Sequence, residues 1–220
     1  MASSVVALRD VVPALTDEGL TAAVRELAVR DADLAAIVTR YGQPPLWDRA
    51  PGFPTLLHII LEQQVSLASA RAAFERLRQE VGPLTPARFL ELTDDELLRI
   101  GFSRQKARYG RALAAAVGSG ALDLERLCEL DDEGVHGALQ AIPGIGPWTS
   151  TIYLLMVLGR PDVWPAGDIA LAESVGVVKG LDHRPDGIEM AALGDAWRPW
   201  RSVAARLFWH DYLRRRGRDG

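Results

Sequence analysis

The chain has 220 residues, 48% of them hydrophobic and 25% charged, enough to bury a sizeable core as one domain or as two small lobes sharing a cleft. Its net charge of −4 argues against coating nucleic acid through bulk positive charge, and leaves room for a local contact patch. The single cysteine, Cys128, excludes an intramolecular disulfide framework and a four-thiolate zinc or iron–sulfur site; within "LERLCEL" it reads as a small buried hydrophobe.

The opening "MASSVVALRDVVPAL" has no basic lead and no long apolar stretch, and no run in the chain approaches the roughly 18 apolar residues of a membrane span. The expectation is a soluble intracellular protein without a membrane partner: cytoplasmic, at the nucleoid in a bacterial cell. Thr16-Asp-Glu opens a helical region that runs to about Tyr41 and breaks near Arg30-Asp31. "YGQPPLWDRAPGFP" holds four prolines and two glycines, so it is loop. It sets off residues 1–45, a helical extension expected to pack on the core, from a core of residues 46–220.

"FPTLLHIILEQQVSLASARAAFERLRQEV" reads as two helices meeting at Gln63-Gln64-Val65-Ser66. Thr93 and Glu96 form a capping box, and Ser103 opens a helix that Gly118-Ser119-Gly120 closes. Asp131 starts a helix of about 132–141. Trp200, Val203, Ala204, Leu207, Phe208 and Tyr212 line one stripe of an amphipathic helix near the end. No segment sustains a period of two, so the chain is all-α, with ten or more helices.

"LQAIPGIGPWTSTIYLL" places Pro143-Gly144-Ile145-Gly146 between two apolar helical runs. Pro147 suits a first helical position, and glycines at 144 and 146 permit positive φ and close approach of another backbone. The first-turn N–H groups and the helix dipole make such a start an anion site that needs no lysine. An ordinary αα-corner is the plainer reading of these residues. The apolar frame of Leu139, Ile142, Ile145, Thr149 and Ile152 instead resembles the helix–hairpin–helix clamp on DNA backbone.

Downstream, "GRPDVWPAGDIALAESV" puts Asp168 before an apolar helical run, where it also reads as a simple N-cap. Hairpin, Gly/Pro-rich loop and Asp together resemble the helix–hairpin–helix DNA glycosylases. "FPTLLHIILEQQVSLASA", "GFSRQKARY", "RPDVWPAGDIAL" and "WRPWRSVAARLFWHDYL" are similar to the 3-methyladenine DNA glycosylase II branch over residues 45–215. That resemblance implies two helical lobes flanking a DNA-binding cleft.

It also implies roles. Asp168 falls on the catalytic Asp. Trp148 falls where lyase-competent relatives carry a Schiff-base lysine, which implies an N-glycosyl hydrolase without lyase activity. Trp148 and Trp197, with Tyr153 and Phe53, are expected at the base pocket; the family's pocket tyrosine aligns with Ile152, one residue before Tyr153. Trp164, Trp200 and Trp209 are left as packing residues.

Gln63 and Gln64 fall on the DNA-probing loop, with Gln64 as the wedge that fills the extruded nucleotide's gap. Gly144, Gly146, Trp148 and Thr149, with Ser103 and Lys106, are the further expected DNA contacts. No cofactor is required and no iron–sulfur cluster is expected. The carbonyls of Gln140, Ile142 and Ile145 match those that bridge a structural monovalent cation (Na+ or K+) in relatives.

The implied function is excision of alkylated purines (3-methyladenine and 7-methylguanine) from double-stranded DNA in base excision repair, by a monomer. Two alternatives stand beside it: a glycosylase for other damaged bases such as hypoxanthine or uracil, and a non-catalytic helix–hairpin–helix DNA-binding protein. The chemistry suits the residue types. A base must be flipped out of the stack before it is reached. A carboxylate beside the sugar then stabilises an oxocarbenium-like transition state.

Overall fold

The computed structural model describes residues 13–217. Among these residues it is helical, without strands, and the chain divides into two compact units.

The first unit runs from Ala50 to Ser150. Helices α1 (Asp17–Arg30) and α2 (Ala32–Tyr41) precede it, and α3 (Phe53–Glu62) opens it. Then come α4 (Leu67–Val81), α5 (Pro86–Glu91), α6 (Asp94–Ile100), α7 (Arg104–Gly118), a 3-10 turn at Arg126–Glu129 and α8 (Asp132–Gln140). The local signals are ordinary ones. Thr93 and Glu96 make the expected capping box, and Ser66, Ser103 and Asp131 each cap a helix through a side-chain oxygen.

Helix α3 packs on α4 and α7, and α5 and α6 close over α7. Leu56, Leu57, Ile60, Leu77, Phe89, Leu97 and Leu113 are fully buried there, each contributing about 1.5–3 kcal/mol. Gly110 admits the Phe89 ring against α7; a Cβ on it would stand 2.7 Å from the ring.

The second unit is built from residues 14–49 and from residue 151 onward. The boundary at 1–45 is therefore not where the structure divides: residues 14–49 belong with the C-terminal helices, and residues 1–12 lie outside the described range. Helix α9 (Pro147–Met156) starts in the first unit and ends in the second. It is followed by α10 (Ile169–Val178), α11 (Gly187–Gly194), a 3-10 turn at Asp195–Trp197 and α12 (Arg201–Arg215).

Helix α12 is the centre of this unit, packed by α10, α2 and α1. It is not the one-sided amphipathic helix its periodicity suggests. Every residue from Ser202 to Asp211 is buried, four polar ones included. Those four are largely accommodated by distant partners. Arg206 donates to the carbonyls of Leu46, Leu155 and Ser202, and burial pushes its guanidinium down to about 10 against the pull of Asp48. Ser202 bridges Arg160 O and Val163, Asp211 takes Ser174 and Arg215, and His210 meets Tyr41 O.

Asp31 joins α1 and α2 to the rest of the unit. It caps α2, and its carboxylate also receives Lys179 Nζ (2.7 Å) and the Trp197 indole N–H (2.8 Å). Burial opposes ionisation, but the hydrogen bonds from Lys179 and Trp197 prevail and hold the Asp31 carboxyl below its ordinary value. Cys128 corrects an expectation: it is exposed, in the 3-10 turn, with its Sγ directed at Glu125 O.

Candidate functional site

The hairpin lies in the first unit. Its turn is closed by Ile145 N donating to Ile142 O (3.0 Å), and Leu139, Ile142, Ile145 and Thr149 are all buried beneath it. Gly144 has φ 93°, and its α-carbon sits on the Tyr109 ring of α7, so a Cβ would come within 2.1 Å of that ring. Gly146 differs: its φ is not left-handed and a Cβ there would meet nothing within 4 Å. Of the two glycines, Gly144 is required by the fold. Gly146 leaves open space at the helix start, the place where a phosphate oxygen would approach backbone N–H groups.

A polar brace holds the two hairpin helices together. The fully buried Ser150 hydroxyl lies 2.7 Å from His136 Nδ1 and 3.0 Å from Gln140 Nε2, and reaches the carbonyls of Gly146 and Pro147. Burial lowers the His136 imidazole below its ordinary value, against the opposing charge of Asp132.

The loop between α3 and α4, expected to probe DNA, belongs to the same unit. Gln63 turns inward, its Nε2 donating to Gly144 O and to Thr149 Oγ1, both at 2.8 Å. Gln64 is exposed and holds a left-handed φ of 57°, between Gln63 and the half-exposed Val65. Only Gln64 is presented outward as the wedge expectation requires. Gln63 and Thr149 (2% exposed) spend their side chains on each other.

Ser103 and Lys106 also have partners within the unit. Ser103 caps α7 by accepting from Lys106 N, and Lys106 Nζ donates to Leu61 O at the end of α3, where burial lowers its ammonium below the ordinary value.

The second unit carries Asp168. Its loop is fixed from α12 and the turn before it: Arg201 holds Asp162, Ser202 bridges Arg160 and Val163, and Trp164 rests on Trp197 and Phe208. Asp168 then caps α10, its Oδ1 accepting from Leu171 N (2.8 Å) and from the Trp209 indole N–H (3.1 Å). The carboxylate is partly exposed and oriented from two directions. Reading the sequence leaves Trp209 as packing. The available signal is that a buried tryptophan N–H needs an acceptor, and this alone does not say which.

Three residues expected at the pocket are buried. Trp197 is 2% exposed, enclosed by Trp164 and Phe208 with its N–H on Asp31; Tyr153 and Phe53 are also buried, Phe53 against Phe89. Their faces are consumed by packing. Trp148, in the first turn of α9, is half-buried and keeps part of its surface exposed. Among the described residues no cluster of His, Cys, Asp or Glu could hold a metal ion. The hairpin carbonyls of Gln140, Ile142 and Ile145 remain as oxygen donors of the type hard cations take; Ile142 O already accepts one N–H.

Residues 57–199 match the family described as HhH-GPD superfamily base excision DNA repair protein. The chain belongs to that superfamily. It is 30% identical over 184 residues to the putative DNA-3-methyladenine glycosylase YfjP of Bacillus subtilis, covering 80% of this chain and 64% of that relative. It thus spans less than two thirds of that relative's length. Among solved structures, a DNA-3-methyladenine glycosidase from Bacillus halodurans superposes with a TM-score of 0.70 at 31% identity, over 86% of this chain and 88% of that one. A Schizosaccharomyces pombe 3-methyladenine DNA glycosylase in complex with abasic DNA shares the fold at a TM-score of 0.80 and 24% identity, over 86% and 95%.

Proposed function

We propose that the protein is a DNA glycosylase of base excision repair that extrudes alkylated purines of the 3-methyladenine and 7-methylguanine type from double-stranded DNA and hydrolyses their N-glycosidic bond. The observation that carries this reading is Asp168, a partly exposed carboxylate held by Leu171 N–H and the Trp209 indole in a chain of the base excision superfamily. Cleavage develops positive charge on the sugar, and an oriented carboxylate stabilises that charge and steers the attacking water. N-alkylated purines are already cationic and leave without a dedicated acid. The exposed part of Trp148 would attract such a base by about 0.5–2 kcal/mol.

The same enzyme would leave the strand intact. The sequence has two lysines, Lys106 and Lys179. One is given to Leu61 O and the other to Asp31 and Asp33, which supports hydrolysis over Schiff-base chemistry. A Na+ or K+ ion on the carbonyls of Gln140, Ile142 and Ile145 would add positive charge beside a bound phosphate. A monomer acting on DNA in the cytoplasm completes the reading; no described helix is long and apolar enough to cross a membrane.

The test is release of free base from methylated duplex DNA, comparing wild type with Asp168→Asn. Release of 3-methyladenine or 7-methylguanine by wild type, with the variant slowed by orders of magnitude while still binding DNA, is the expected result. Wild type that binds DNA and frees no base, alkylated, deaminated or mismatched, overturns it.

A further inference from the structure

Gln63 occupies a loop whose other members face outward, yet its amide points into the protein. Both donated bonds leave from one nitrogen, to Gly144 O and to Thr149 Oγ1, one on the hairpin turn and one on the first turns of α9. The demand on the side chain is specific: two N–H donors in one plane, at the reach of two methylenes. Asn is a methylene short, Glu has no donor when ionised, and Leu has the size without the donors.

The neighbours of this bridge are fixed as well. Lys106 Nζ holds Leu61 O at the end of α3, and Tyr109, one turn further along α7, lies under Gly144. Gln64 follows immediately in a left-handed conformation that a non-glycine residue adopts at a cost of about 1–2 kcal/mol. Such a backbone persists where the surroundings over-determine it. Removing the amide of Gln63 would leave that conformation without its nearest tether.

We propose that Gln63 is a positioning residue that couples the probing loop to the backbone-gripping hairpin, so that Gln64 is set for insertion in register with the phosphate held at Gly146. The proposal rests on the DNA-glycosylase reading above. Its test uses binding alone, so that the two can fail separately.

The full chain is titrated by fluorescence anisotropy with a duplex carrying a tetrahydrofuran abasic analogue and with the undamaged duplex of the same sequence. Gln63→Leu lowers the preference for the abasic duplex by about fivefold, the size of one to two lost hydrogen bonds, while binding to undamaged DNA stays within about twofold. Gln64→Ala lowers the same preference, and the double variant is no worse than Gln64→Ala, because a residue that acts through Gln64 has nothing left to transmit. Thr149→Val, which removes one of the two acceptors, gives a smaller loss of about twofold. It carries the cycle with Gln64→Ala if Gln63→Leu does not fold.

Equal loss on both duplexes, or effects of Gln63 and Gln64 that multiply, would overturn the coupling; so would a wild type without preference for the abasic duplex. A wild type that prefers the abasic duplex but releases no base refutes the catalytic reading and leaves the coupling standing.

Discussion

Replacing Gly144 by alanine sets two local costs against the stability of the first unit. The left-handed φ of 93° costs a residue with a Cβ about 1–2 kcal/mol. The new methyl would also stand 2.1 Å from the Tyr109 ring, and overpacking of this kind costs about 1–3 kcal/mol. Together they remove roughly 2–5 kcal/mol, which in a chain of this length lowers Tm by roughly 5–15 °C. Gly146→Ala is the matched control, since it meets nothing within 4 Å and needs no left-handed backbone. Its Tm stays within about 2 °C of wild type, as for substitutions away from packed features, while its affinity for duplex DNA falls because the methyl occupies the space a phosphate would enter. Adding Tyr109→Ala to Gly144→Ala restores the overpacking share and leaves the dihedral share. Calorimetric melting of the four proteins beside anisotropy titrations decides the matter. Equal melting temperatures for Gly144→Ala and wild type would refute the argument from the Tyr109 contact. A Gly146→Ala protein that binds DNA as wild type does would refute the assignment of the open space.

The remaining predictions concern the second unit. Asp168→Asn retains a good helix cap, so its Tm changes by less than a few degrees, while free-base release measured by chromatography falls roughly a hundredfold or more. Trp209→Phe keeps the ring packing and removes the N–H to Asp168, so kcat falls about tenfold with KM little changed, and loss of Tm alone would make Trp209 a packing residue only. Lys179→Met breaks the part-buried contact with Asp31 and costs roughly 1–3 kcal/mol at neutral pH. Asp31 is held below its ordinary 3.8 and Lys179 above its ordinary 10.5. The pair's contribution is therefore complete between those values, lost as pH falls through the lowered Asp31 value, and lost as pH rises through the raised Lys179 value. The Tm difference between variant and wild type should be steady from pH 3.8 to 10.5 and close beyond both ends; a difference that grows in acid contradicts the sign.

Caps and breaks were legible in the sequence because they are local: Thr93 with Glu96, Ser103, Asp131 and Asp168 each act on a backbone N–H within three residues. The need for glycine at 144 was legible as a turn, but the reason lies 35 residues away in Tyr109, which no local pattern reports. Polar residues on α12 misled, since polarity reads as solvent exposure unless the distant carbonyl that receives Arg206 is known. The tryptophans divide in the same way. Trp197 and Trp209 are both buried and both donate to an aspartate, and it is the partner, Asp31 or Asp168, that separates a packing residue from one touching the site. Gln63 and Gln64 are neighbours of one residue type, distinguished only by the backbone that turns one inward and the other out.

The second unit is interrupted. Residues 14–49 reach their partners in α12 only after the intervening stretch Ala50–Ser150 has been made. On a ribosome adding about 5–20 residues per second, α1 and α2 therefore wait about ten to thirty seconds for α12, which helps to bury Leu20, Ala23, Leu27, Leu34 and Ile37. Joining them late also means closing a loop of about 160 residues, whose entropic cost grows only with the logarithm of its length. A first unit already collapsed shortens that search. The order of synthesis thus favours completing the hairpin-bearing unit before the one that carries Asp168, and a chain stalled just short of residue 168 would hold the hairpin without that carboxylate.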